Sequence, residues 1–196
     1  MILRLLLKNR AGSGSAEFAL VLPLLLVFLL GIVDAGRWMW TYNQAEKATQ
    51  MGARMAAVVN PISSDVTASY LGACSPALTQ GDLIPASCFT TITCTAGSCS
   101  SGTVDDDSFT KVVDRMRLFL PTLTEENVAI EYTGSGLGYA GNPNGPDASP
   151  LVTVKLGTPA TPLEFRPITS VLILTMNMPS FTATLTTEDM AGQQSN

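Results

Sequence analysis

The sequence predicts an α+β protein: a long N-terminal helix that crosses a membrane, then a small antiparallel-sheet head with one short helix and disulfide-stapled loops. Three observations carry this expectation. From Phe18 to Val33 the chain reads FALVLPLLLVFLLGIV without a charge, the mark of a membrane helix. Further on, three stretches alternate apolar with polar residues, the pattern of half-buried antiparallel strands. All four cysteines, Cys74, Cys88, Cys94 and Cys99, fall in one segment rich in Ser, Thr and Gly.

Composition narrows the function classes. The 196 residues are 46% hydrophobic and only 14% charged, against about 25% charged in an average globular chain. Part of the chain is therefore expected out of water, and disorder is not expected. There is no histidine, which excludes Ser-His-Asp and Cys-His nucleophiles, His-ligated metals and a histidine pH switch. No acid/base pair, nucleophile motif or phosphate loop stands in a supporting context, so neither an enzyme nor a cofactor is expected. Glu125-Glu126 and Glu188-Asp189 read as solvated ends of elements. GSGLG, starting at Gly134, is followed by no βα crossover and is not a dinucleotide fingerprint.

The first element is the membrane helix. At 1.5 Å per residue, Phe18–Val33 is roughly 24 Å long, a little short of the roughly 30 Å hydrocarbon core. Ala35, Gly36 and Met39 extend it, and Trp38, Trp40 and Tyr42 stand where an interfacial aromatic belt belongs. Arg4, Lys8 and Arg10 precede the run, with no acid until Glu17. The positive-inside rule then puts the N-terminus in the cytoplasm and everything beyond about residue 40 across the membrane. Charge divides the same way: residues 1–60 sum to +3 and residues 61–196 to −8. So acidic a distal part has no footprint for nucleic acid.

Three readings of this N-terminus compete. A secretory signal peptide would use Val33-Asp34-Ala35 before Gly36 as its cleavage site. A plain anchor fits the length. Neither accounts for Glu17, an acid at the start of the apolar run where a bilayer disfavours it. Nor does either account for Ala11-Gly12-Ser13-Gly14-Ser15-Ala16 between the basic leader and that acid.

The third reading uses both features. Ala11 to Val58, AGSGSAEFALVLPLLLVFLLGIVDAGRWMWTYNQAEKATQMGARMAAV, resembles the N-terminal segment of TadE-like pseudopilins, minor pilin-like proteins of tight-adherence (Tad, type IVc) pili. The resemblance implies a prepilin-peptidase cut after Gly12, making Ser13 the first mature residue and Glu17 the fifth. It matches Glu17-Phe18 to the family's Glu-Phe pair, Pro23 to its early proline, and Gly52-Ala53-Arg54 with Ala56-Ala57 to its later small-residue segment. A cut at Gly14 would leave Glu17 third, against the pattern. The resemblance also implies partners: a prepilin peptidase, the major pilin, other minor pilins, the inner-membrane assembly platform and the lipid bilayer. The location implied is the bacterial inner membrane, with a single pass, a periplasmic head, and incorporation into an extracellular pilus as a further outcome. In that setting the Glu17 carboxylate pairs with a neighbour's new α-amine and sets register, because an unpaired buried charge costs several kcal/mol. Independently of any family, Glu17 also fits an acid near a helix N-terminus, with Ser13 or Ser15 as cap.

Pro23 removes one backbone hydrogen bond and predicts a kink or a point that melts during extraction and packing. Beyond the membrane, Trp38, Tyr42, Ala45, Thr49, Gly52, Ala56 and Val59 recur at spacings of four and three, one stripe of a helix. Asn60-Pro61 stops it. One helix is expected from about Ser15 to Val59, with two helices broken near Gly36 as the alternative. The domain division that follows is a leader over 1–12, a long helix over 13–60 and a head over 61–196. Within the helix, about 17–36 spans the membrane and 37–59 is amphipathic.

In the head, four cysteines in an oxidising compartment predict two disulfides, and spacing cannot choose among the three pairings. Zinc is the weaker reading, since there is no CxxC pair and no His. Asp105-Asp106-Asp107-Ser108 opens an amphipathic helix whose apolar side is Phe109, Val112, Val113, Met116 and Phe119-Leu120, closed by Pro121. A calcium loop lacks its alternating acids here. Strands follow at Val128-Ile130-Tyr132, Val152-Val154-Leu156 and Phe181-Ala183-Leu185. Gly134–Pro150 is a Gly/Pro/Asn-rich loop, of a kind often exposed and sometimes functional. Val171–Leu174 is expected as a core strand. Two functions from different classes emerge: a minor pilin-like subunit for adhesion or secretion, and a permanently anchored periplasmic binding module.

Overall fold

The structure is a computed structural model describing residues 13–158, 160–169 and 175–187. Helix α1 runs Ser13–Ala56, 44 residues without a break, so the single-helix reading holds. It ends three residues before Val59, in a turn. Strand β1 (Ile92–Thr95) and β2 (Ser98–Cys99) precede α2 (Asp106–Arg117). Then come β3 (Val128–Thr133), β4 (Leu151–Leu156), β5 (Glu164–Phe165), β6 (Met176–Asn177) and β7 (Phe181–Thr186). Two compact units emerge. One takes the chain up to Trp40 together with Phe165–Met176; the other takes Thr41–Glu164 and the chain from Asn177 on.

The second unit is built on a five-stranded sheet of order β2-β1-β3-β4-β7, antiparallel at every pairing. The register aligns Cys94, Ile130, Val154 and Ala183 in one row, and Tyr132, Val152 and Leu185 in the next. Because side chains alternate along a strand, these rows share one face, and Ile130, Tyr132, Val152, Val154 and Leu156 are fully buried there. On the other face Lys155 meets Glu131 at 2.8 Å and the hydroxyls of Thr153 and Thr184 meet at 2.8 Å. Strand β7 departs from its predicted pattern: Phe181 is buried, but Leu185 is 39% exposed. Among the described residues it is an edge strand, with a neighbour on one side only, so its cover thins toward its end.

The last part of α1 covers the inner face. Ala45, Ala48, Thr49, Ala53 and Ala56 are buried, while Trp38 and Tyr42 at the head of the stripe are half-buried. Gly52 is required for this approach, since a Cβ there would lie 2.6 Å from Met116 Sδ and 3.4 Å from Val154 Cγ1. Tyr42 packs edge-on against Phe181, ring centroids 4.9 Å apart. Tyr132 accepts a hydrogen bond from Ile62 N through its hydroxyl, and burial pushes that hydroxyl up to about 12. On α2, Phe109, Val112, Val113 and Met116 are buried as predicted. Asp105 is its N-cap, Oδ1 accepting from the N–H groups of Asp107 and Ser108 at 3.1 and 3.2 Å. That use of the carboxylate is the predicted capping role.

The loops are tighter than the sequence suggested. The disulfides join Cys74 to Cys88 and Cys94 to Cys99. The second links residues directly opposed across β1 and β2, a hairpin in a segment the composition marked as loop. Gly97 holds its turn at φ 73°, a left-handed conformation that favours glycine. Gly134–Pro150 is not a free excursion. Bridges join Gly138 to Ala148 and Leu83 to Tyr139, and Asp147 accepts from Tyr70 N at 2.7 Å, Asn142 N at 2.9 Å and Ser69 Oγ at 3.1 Å. Val171–Leu174, expected as a core strand, and Glu188-Asp189 lie outside the described residues.

Candidate functional site

The surface that the sequence marks for function is the first half of α1. Gly12 and the basic Arg4, Lys8 and Arg10 lie outside the described residues. Ser13 is the first described residue and is helical, and Glu17 and Phe18 stand one turn further on, both exposed. Helix assignment continues through Pro23 although its missing N–H leaves one carbonyl a turn earlier without its usual partner. Leu, Val and Phe residues from Phe18 to Val33 are exposed on all sides, as high as 79% for Leu20 and 73% for Leu24. An apolar surface this continuous is not stable facing water. By length and composition α1 can cross a membrane.

The apolar run ends on an inversion. Between Glu17 and Gln44 the buried residue is an acid, Asp34, at 6% exposure. Its Oδ1 accepts from Ile168 N at 2.7 Å; its Oδ2 accepts from Thr169 N at 2.9 Å and from the Thr169 hydroxyl at 2.7 Å. Arg37, one turn on, approaches Oδ1 at 3.2 Å and lies 5.6 Å from the centroid of the Phe165 ring. A carboxylate can be kept out of water when charge-assisted hydrogen bonds replace its hydration. Sequence reasoning saw Asp34 only as the end of the run, or as part of a signal-peptidase site. Its partners are 134 and 135 residues away, and no local pattern signals them.

The remaining sites are structural. All four cysteine sulfurs are taken up in disulfides, which leaves no thiolate for zinc. Among the described residues, no cluster of His, Cys, Asp or Glu could hold a metal ion.

A continuous helix with an apolar, exposed first half and a second half packed on a disulfide-bearing sheet is compatible with a single N-terminal membrane anchor. Among known families, residues 12–54 match the model of the family described as TadE-like protein. The match includes Gly12, Glu17, Phe18, Pro23 and Gly52, so the chain is similar to TadE-like proteins over the segment that carried the resemblance. No curated protein and no solved structure matches the chain.

Proposed function

We propose that this chain is a minor pilin-like subunit, processed by a prepilin peptidase between Gly12 and Ser13 and used in assembling a Tad-type pilus for adhesion or secretion. The observation that carries the reading is the exposed apolar stretch Phe18–Val33 of the helix with a carboxylate, Glu17, directly before it. Held in the inner membrane with its N-terminus in the cytoplasm and its head in the periplasm, the helix passes from lipid into a bundle of neighbouring pilin helices. Both surroundings accept Leu, Val and Phe at all azimuths. Glu17 pairs with the α-amine that cleavage creates on a neighbouring subunit, and so selects register. The chain's role is non-catalytic, and its partners are the peptidase, the major and minor pilins and the assembly platform. The anchored binding module is the weaker reading, because the loop that would hold a ligand is tied down by Asp147.

N-terminal sequencing of the membrane-associated protein tests the processing step. A start at Ser13 is the expected result; an intact Met1 would point to a permanent anchor, and a start at Gly36 to secretion. Glu17→Ala should leave processing intact while pilus assembly falls. Pilus yield equal to the parent protein in that variant would remove the register role.

A further inference from the structure

Asp34 does more than end a helix segment. It follows directly on Val33, the last residue of the apolar run, so whatever it holds sits within a turn of where hydrocarbon gives way to headgroups. What it holds is a turn, Ile168 and Thr169, a few residues beyond the short strand β5. In the same unit, exposure alternates along Phe165–Thr169: Phe165, Pro167 and Thr169 are buried, while Arg166 and Ile168 are exposed. Ile168 is 51% exposed, and its unit also exposes Met39 and Trp40 beyond the apolar run, at 62% and 68%. Non-helical backbone near hydrocarbon is tolerated only if its polar groups are satisfied. Here the N–H groups at the turn are accounted for: Pro167 has none, and those of Ile168 and Thr169 both go to Asp34.

We propose that Phe165–Thr169 is a second membrane-contacting element, clamped by Asp34 at the headgroup layer, with Ile168 entering the boundary between headgroups and acyl chains. The occupant of this surface is therefore the bilayer itself. Three features favour it. The segment is continuous with the apolar helix that precedes Asp34. Its exposed side chains are one aliphatic and one cation, suited to acyl carbon and to lipid phosphate respectively. Trp40 on the same unit is an amphipathic ring of the kind enriched at that depth. The clamp also explains why an acid stands at this position: a carboxylate supplies acceptors for two backbone donors where water is scarce. This inference rests on Phe18–Val33 spanning the membrane.

The test separates the two. An environment-sensitive dye is attached to Ile168→Cys or to Val27→Cys in the full chain, with both native disulfides intact, in phosphatidylcholine–phosphatidylglycerol vesicles. The vesicles carry nitroxide lipids labelled either near the headgroup or near the acyl-chain end. The Val27 dye should be quenched most by the deep label, and the Ile168 dye most by the shallow one, with blue-shifted emission. Adding Asp34→Ala should abolish shallow quenching at Ile168 and leave deep quenching at Val27 unchanged. Deep quenching at Val27 with none at Ile168 overturns the second element while the spanning helix stands. Absence of quenching at both sites overturns the spanning helix and the inference with it. Quenching at Ile168 that survives Asp34→Ala removes Asp34 as the clamp.

Discussion

The two halves of α1 obey opposite rules. From Phe18 to Val33 the side chains are large and apolar, and they are exposed. From Ala45 to Ala56 the inward stripe is Ala, Thr and Gly, and it is buried. Hydrophobicity alone would have buried the first half and exposed the second. The difference teaches that burial within the chain follows fit. Small residues let a helix lie closely on a sheet, as Gly52 lies against Met116 and Val154. Large residues on every side of a helix require a surround that one small head cannot supply.

The comparison is sharpened most by changing size in each half. Gly52→Leu adds a side chain where a single Cβ already comes 2.6 Å from Met116 Sδ. Overpacking of a core of this kind costs about 3 kcal/mol, to be read as a lower denaturant midpoint of the head. Leu25→Ala, a truncation of the size that is costly in a core, should lower stability by less than about 0.5 kcal/mol, because Leu25 is exposed within the chain. Equal effects at the two sites would mean that the first half is also part of the folded core.

What was legible follows the same division. Periodicity revealed α1, its inward stripe, α2 and the strands β3 and β4, because each is long enough for side chains to alternate several times. Strands β1 and β2 have four and two residues, too few to repeat anything, and their cysteines and threonines read as loop. Two disulfides were foreseeable from the cysteine count, but pairing depends on which Cα atoms meet, and the hairpin that opposes Cys94 to Cys99 was itself unseen. Asp34 and Asp147 escaped for a related reason. Each carboxylate gathers donors from a segment far along the chain (Thr169 for Asp34, Tyr70 for Asp147), and a lone acid in a sequence carries no mark of its partners.

Asp147 offers a pH test confined to the head. Burial pushes its carboxyl up, but hydrogen bonds from the backbone of Gly141, Tyr70 and Asn142 and from the Ser69 hydroxyl outweigh that and hold it below the usual carboxylate range. A carboxyl with a lower pKa folded than unfolded contributes stability that is whole above the unfolded value of roughly 3.9. That contribution drains away as pH falls through the folded value. Asp82, lowered by the Thr79 hydroxyl and N–H, behaves in the same sense. Asp147→Asn should therefore destabilise the head at neutral pH and flatten, without abolishing, its loss of stability below about pH 4. Urea midpoints across that range decide it, and parallel curves for parent and variant would show that the loop is not held by charge.

A small effect is also expected on the outer face of β4, where two neighbouring residues repeat the contrast between the helix halves. Val154 points inward and is fully buried; Thr153 points outward and shares a 2.8 Å hydroxyl contact with Thr184 across to β7. Val154→Ala removes two methyl-sized groups from a filled core and should cost about 2 kcal/mol. Thr153→Val keeps the β-branched shape that suits a strand and deletes only the hydroxyl. A cross-strand pair contributes roughly 0.2–1 kcal/mol, and a hydroxyl partner left exposed regains water, so about 0.5 kcal/mol is expected. A double variant with Thr184→Val should then cost little more than either single change, since the pair is already broken. If Thr153→Val matched Val154→Ala in denaturant midpoint, the outer face would be packed against something in solution, and the one-sided sheet would have to be abandoned.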